Sequence, residues 1–245
     1  SGLRASGLPS AAELKILEPF RGDLPERVFT DPVELPVVNG FGRNRSMLLK
    51  ADKLLEEAGW VIRNFERVHE VTGEPLTFEF IVTFQDHQRM LFPFVDNLER
   101  LGIRTGLRRI EGNLMINRIR HYDFDATVRK LRSWSIPIPS HLRSMFTAEY
   151  ADLPNMRNIP GIKNPVVDAL VERVNLAESQ EELNWAGRAL DRVLLHNFYV
   201  VPDGHPVGRH IVYWDRIGHP PLGVEHLNWT AVSYTHLTLP TILLV

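Results

Sequence analysis

The chain has 245 residues, of which 44% are apolar and 24% charged, enough for a sizeable core in one large domain or two small ones. Its net charge of −2 gives no basic field for nucleic acid or an anionic membrane, and the absence of cysteine excludes disulfides and thiolate metal sites. No apolar run is long enough to cross a bilayer, and the opening SGLRASGLPSAAE lacks the basic region and apolar core of a secretory signal.

Residues 1–45 are rich in proline and glycine and carry one short periodic run, Ala11 to Leu17, so they read as an extended connection laid on a surface. From Ser46, the positions Leu48, Ala51, Leu54, Leu55 and Ala58 share one helical face, and Gly59 is placed to cap its end. Leu76, Phe78, Phe80, Val82 and Phe84 alternate with more polar neighbours, the period of a half-buried strand. Leu91, Phe94, Val95, Leu98 and Leu101 return to helical spacing before Gly102, and 103–110 reads as a second strand. Strand, helix and strand within so short a stretch predict a βαβ unit with parallel strands. A short helix over 113–120 and a strand over 124–128 extend it.

Residues 132–162 follow no period and mix aromatics, hydroxyls, prolines and asparagines, so they are expected to form a long loop. Beyond it the pattern is clear again. Asn164 and Pro165 supply a cap and a first helical residue, and Val166, Val167, Leu170, Val171 and Val174 form one face. Ser179 and Glu182 make a capping box for a second helix, whose buried stripe is Leu183, Ala186, Leu190, Val193 and Leu194. The tail holds one strand candidate, HIVYW, between proline-rich turns.

These residues also carry a likeness. Asn158 with Gly161, Pro165, Val167 to Leu170, Arg188 to Leu194, Val201 with Pro202, and Tyr213 to Asp215 resemble, in order, the C-terminal half of the family 5 extracellular solute-binding proteins. Leu14 to Phe29 is similar to the branch of that family that handles oligopeptides and microcin-like peptides. The resemblance implies an α/β fold, the second lobe of a type II, cluster C periplasmic binding protein with a mixed sheet and packed helices, the first lobe being largely missing. It implies that residues 1–45 cross between lobes, that 46–200 are the second lobe and that 201–230 return to the first. Residues 231–245 lack any period and resemble the in-frame translation of a sequencing adaptor, so they are expected to be a non-native tail, with a genuine apolar edge strand as the alternative. The function implied is that of the periplasmic substrate-binding component of an ABC importer, closing two lobes on a peptide and docking, as a monomer, on a membrane permease. No catalytic residue and no cofactor are implied. A peptide sensor on the same fold is the nearest alternative.

A receptor that tolerates varied side chains should hold peptide ends by ion pairs and the middle by strand-like hydrogen bonds. The candidate ligand contacts are Trp134, Ser135, Asp152 and Asn158, with Asp152 facing an amine and Arg157 a further partner for a carboxylate. Asn158 has a second reading, in which its side chain closes its own turn. Ile136 to Pro139 departs from the polar, glycine-containing run that this branch carries after Trp-Ser. From a different class, Asp203, His205 and His210 would have to serve a small metal-dependent hydrolase, although their spacing fixes no common face. Asp123 and Asp125, at a strand entrance, have no partner for acid–base work. Gly40 to Arg43 lacks the third glycine of a dinucleotide fingerprint and the Lys-Ser/Thr of a phosphate loop, and reads as a turn.

Overall fold

A computed structural model describes residues 2–37, 45–129, 139–154 and 157–202. The described chain is built as two packed layers, a helical one drawn from both ends of this range and a small α/β one between them.

Helix α1 (Ala11–Leu17) is capped by Ser10, whose hydroxyl accepts from the Glu13 amide, and it ends in a 3-10 turn before the single-turn α2 (Arg27–Thr30). Leu17, Leu24, Val28 and Phe29 from this region enter the main core. Residues 5–33 are therefore part of the helical layer rather than an extended connection over its surface. Their apolar positions look aperiodic because they come from short turns that take their direction from the helices beneath.

The sheet layer begins with α3 (Arg45–Glu57), followed by a hairpin of β1 (Trp60–Arg63) and β2 (Glu66–His69). No turn signal in the sequence announces this hairpin. Its two-residue turn puts Asn64 and Phe65 at φ 52° and 65°, left-handed values that asparagine tolerates and a bulky residue seldom adopts. Buried Arg67 ties this hairpin down, donating from Nε to the Leu101 carbonyl (2.9 Å) and from Nη1 to the Trp60 carbonyl (3.1 Å), with Asp52 of α3 as its ionic partner.

Strands β3 (Thr77–Val82), β4 (Arg104–Arg109) and β5 (Ala126–Thr127) form a parallel sheet in the order β4-β3-β5, as the βαβ pattern predicts. Helix α4 (Gln85–Arg100) covers the face carrying Phe80 and Val82, through Leu91 and Val95. Helix α5 (Gly112–Arg120) covers the opposite face, where Ile81 meets Met115 and Ile119. The central strand is thus buried on both faces toward its end, and alternation in sequence understates its burial.

Helix α6 (Pro139–Phe146) lies inside the stretch expected to be a loop, resting Leu142 and Phe146 on the core. Helices α7 (Pro165–Asn175) and α8 (Gln180–His196) start where the caps predict: the Asn164 carboxamide oxygen accepts from the Val166 amide and the Ser179 hydroxyl from the Glu182 amide. Val167, Leu170, Val171 and Val193 are essentially sealed from solvent. Burying side chains of this size stabilises the fold by about 1.5–3 kcal/mol each, before the entropy of ordering them is subtracted.

The polar face of α8 holds the incoming N-terminal segment. Arg188 Nε donates to the Gly2 carbonyl (2.7 Å), the Asp191 carboxylate accepts from the Ala5 amide (2.8 Å), and Arg192 Nη1 donates to the Gly7 carbonyl (3.0 Å). Arg192 is wholly buried and its Nε bonds Glu13 of α1 at 3.0 Å. In Arg188-Ala-Leu-Asp-Arg-Val-Leu, the apolar positions fill the core and the charged ones clamp a strand of the chain from far away in sequence. Burial pushes the Asp191 carboxyl above its ordinary value, against the opposing pull of the Ala5 amide.

Candidate ligand-binding site

Two parts of the described structure point to a ligand. The first follows from topology. From β3 the chain crosses to β4 on one side with α4 on one face, then passes to β5 on the other side with α5 on the opposite face. In open α/β sheets ligands usually sit outside the carboxyl ends of the strands where the direction changes, which here are β3 and β5. Phe84, 64% exposed, stands just past the carboxyl end of β3, and Val128 and Arg129 follow β5. Trp134 and Ser135 come after them in sequence and lie outside the described residues, as do Asp203, His205 and His210.

The second part is the loop from Thr147 to Lys163. Asn158 is 1% exposed and its carboxamide is fully engaged: Nδ2 donates to the carbonyls of Thr147 (2.9 Å) and Ile162 (3.1 Å), while Oδ1 accepts from the Ile162 amide (2.9 Å). The Asn158 carbonyl accepts from the Gly161 amide at 3.2 Å, closing a turn in which Gly161 takes φ 64°. A left-handed backbone at that point explains the glycine in Asn-x-x-Gly. The same carbonyl accepts from the Tyr122 hydroxyl at 2.9 Å, and Ile159 packs with Ile110 and Phe124 against the α5 face of the sheet. This turn links the helical layer to the α/β layer.

Asp152 follows buried Ala151, with its own side chain 77% exposed. Lys163 Nζ stands 2.6 Å from Asp152 Oδ1. Tyr122 is placed close enough to feel both charges: burial first, then Asp152, push its hydroxyl above the ordinary tyrosine value, and Lys163 acts against them. The structure thus gathers Asp152, Lys163, Tyr122 and the Asn158 turn. No motif or spacing in the sequence marks Lys163 or Tyr122. Arg157 is exposed and already engaged in an interaction within the chain.

The other acidic candidates have structural partners. Asp125 accepts from the Glu79 amide at 2.9 Å, stitching β5 to β3, and Asp123 pairs with Arg118 at 3.0 Å. A shallow hollow of about 180 Å³ is lined by Arg143, Thr147, Glu149, Asp168 and Glu172. Arg143 and Glu172 meet there in a two-point pair at 2.7 Å, and Asp168 accepts from the Ala148 amide, so the hollow is a joint between α6 and α7.

No family model matches the chain. Along its length, however, it is 39% identical over 217 residues to the uncharacterized protein YejA of Escherichia coli, covering 88% of this chain and 35% of that protein. It is 37% identical over 220 residues to a probable peptide-binding protein YejA of Agrobacterium fabrum, with coverage of 90% and 36%. The fold is that of the oligopeptide ABC transporter's periplasmic oligopeptide-binding protein from Thermotoga maritima, solved with mannohexaose (TM-score 0.56, 16% identity, 82% of this chain and 40% of that one). It is likewise that of the oligopeptide-binding protein AppA from Bacillus subtilis, solved with a nonapeptide (TM-score 0.53, 15% identity, 77% and 38%).

The chain is thus related to the YejA proteins along about nine-tenths of its own length. It spans about a third of the length of its curated relatives. It has an α/β fold of the type II periplasmic-binding-protein kind, in which the Asn158, Pro165 and Arg188 to Leu194 motifs have physical roles: a turn that joins layers, a helix start, and a clamp. Among the described residues no helix is long and apolar enough to cross a membrane.

Proposed function

We propose that this chain is the second lobe of the periplasmic substrate-binding component of an ABC importer, and that its ligands are peptides. The observation that carries the reading is the 37–39% identity, along about nine-tenths of the chain, to YejA relatives, one of them named a probable peptide-binding protein. In this reading the ligand lies between this lobe and another, lobe closure stabilises the bound form, and a membrane permease receives it. The chain contributes contacts and no bond-making chemistry.

The candidate contacts lie on either side of α6 in sequence, Trp134 and Ser135 before Pro139 and Asp152 after Phe146. Asp152 would take the amine, Trp134 and Ser135 would lie along the peptide, and Asn158 would hold the loop in shape. The fold does not choose the ligand, since an oligosaccharide and a nonapeptide both occur in structures that share it.

Thermal denaturation of the complete gene product with a mixed pentapeptide library, with mannohexaose and with nickel–histidine tests the reading. Peptides alone should raise the melting temperature, because a ligand bound only by the folded state stabilises it by RT ln(1 + [L]/Kd). A shift with the sugar or the nickel complex and none with peptides would refute it.

A further inference from the structure

In the pairing of Asp152 with Lys163, each partner is fixed at its base and free at its head. Asp152 leaves the loop directly after Ala151, which is 2% exposed, and Lys163 follows Ile162, which is also 2% exposed and is gripped through both its amide and its carbonyl by Asn158. Beyond Lys163, Asn164 caps α7. The backbone under both side chains is therefore set, yet the side chains are 77% and 57% exposed. The group that Lys163 presents at 2.6 Å is a primary ammonium, chemically the same as the amino terminus of a peptide.

We infer that Lys163 is an internal competitor that occupies the amine position on Asp152 in the unliganded protein and gives it up to the ammonium of an incoming ligand, so that ligands with a charged amino terminus bind more weakly than Asp152 alone would allow while those without it are unaffected. The inference rests on the proposed role of Asp152 as the amine contact. Exposed ion pairs are weak, so Lys163 can be displaced at little cost, and its flexible stem lets the head swing into solvent while its Cα stays in place. Tyr122 does not compete, because its hydroxyl proton is directed at the Asn158 carbonyl. A ligand without the ammonium would meet a carboxylate already neutralised and would gain nothing by approaching it. The lysine thus acts as an internal competitor that sets a threshold for amines.

The test is calorimetric titration of the complete gene product with a mixed pentapeptide library and with the same library N-acetylated, comparing wild type with Lys163→Gln, Lys163→Met and Asp152→Asn. Removing the competing ammonium should tighten binding of the free-amine library about two- to fivefold, the range expected for losing one exposed ion pair, and leave the acetylated library unchanged. Asp152→Asn should abolish the preference for free amines. If Asp152→Asn abolishes that preference while both Lys163 variants bind free amines no better than wild type, the exchange is refuted and the amine contact stands. If Asp152→Asn leaves the preference intact, the amine contact itself is refuted and the exchange falls with it.

Discussion

The Tyr122 hydroxyl donates to the Asn158 carbonyl over 2.9 Å, joining residues 36 positions apart in sequence and tying the α/β layer to the helical one. Tyr122 reaches this position from the end of α5 with φ 53°, and Ile159 packs beside it against Phe124. Tyr122→Phe removes one hydrogen bond and little else, and should destabilise the protein by about 1 kcal/mol. Urea denaturation checks this. A variant as stable as wild type would mean that the hydroxyl contributes nothing to the link.

Asn158 should be far less tolerant. Its carboxamide satisfies two carbonyls and one amide in a buried turn. Asn158→Ala strands all three and should cost about 3 kcal/mol. Asn158→Asp is the sharper comparison: it keeps the acceptor for the Ile162 amide but turns a negative oxygen on the carbonyls of Thr147 and Ile162, so it should be as damaging despite its identical shape. A side chain reserved for ligand would leave stability unchanged in both variants, and urea midpoints distinguish the two cases.

Arg192 and Glu13 form a sealed pair that also carries the Gly7 carbonyl. Arg192→Leu leaves the Glu13 carboxylate buried beside apolar side chains, and breaking such a pair costs about 3–5 kcal/mol. The N-terminal segment should loosen along with it. Limited proteolysis should show new cleavage before Ser10 in the variant and none in wild type.

His196, at the last position of α8, is 9% exposed and its Nε2 has no hydrogen-bond partner among the described residues. Burial, then the charge of Arg192, pull its imidazole below the ordinary histidine value of 6.5. A lowered value in the folded state means that the folded form favours the neutral ring. Its stabilising contribution is therefore complete above about pH 6.5 and is lost as pH falls through the lowered value. His196→Gln should lose less stability than wild type on acidification below pH 6.5. Denaturation midpoints from pH 7 to pH 4.5 measure it, and parallel curves for the two proteins would contradict the assignment.

The elements that the sequence announces are those whose signals are local. Helices α7 and α8 carry their caps and apolar stripes within themselves, and β3, α4 and β4 form a βαβ unit whose period changes where the structure changes. The β1-β2 hairpin is hidden because its turn is Asn64-Phe65 rather than an asparagine followed by glycine. Helix α6 is hidden because Leu142 and Phe146 give it a single pair of core contacts amid prolines and hydroxyls. Residues 5–33 read as a connection because what orders them is the charged face of α8, 186 positions away in sequence for Ala5 and Asp191. The candidate site divides in the same manner. Asp152 and the Asn158 turn lie in a recognisable segment, while Tyr122 and Lys163 join it through contacts that no spacing encodes.

The measurement that bears most directly on the account is amide hydrogen exchange of the complete gene product with and without saturating mixed pentapeptides. If this chain forms the ligand face proposed, peptide should slow exchange in residues 128–138 and in the loop over 147–163, leaving the β1-β2 hairpin and the exposed face of α3 unchanged. Protection confined to the hairpin and α3, or no ligand-dependent change anywhere in this chain, would contradict it.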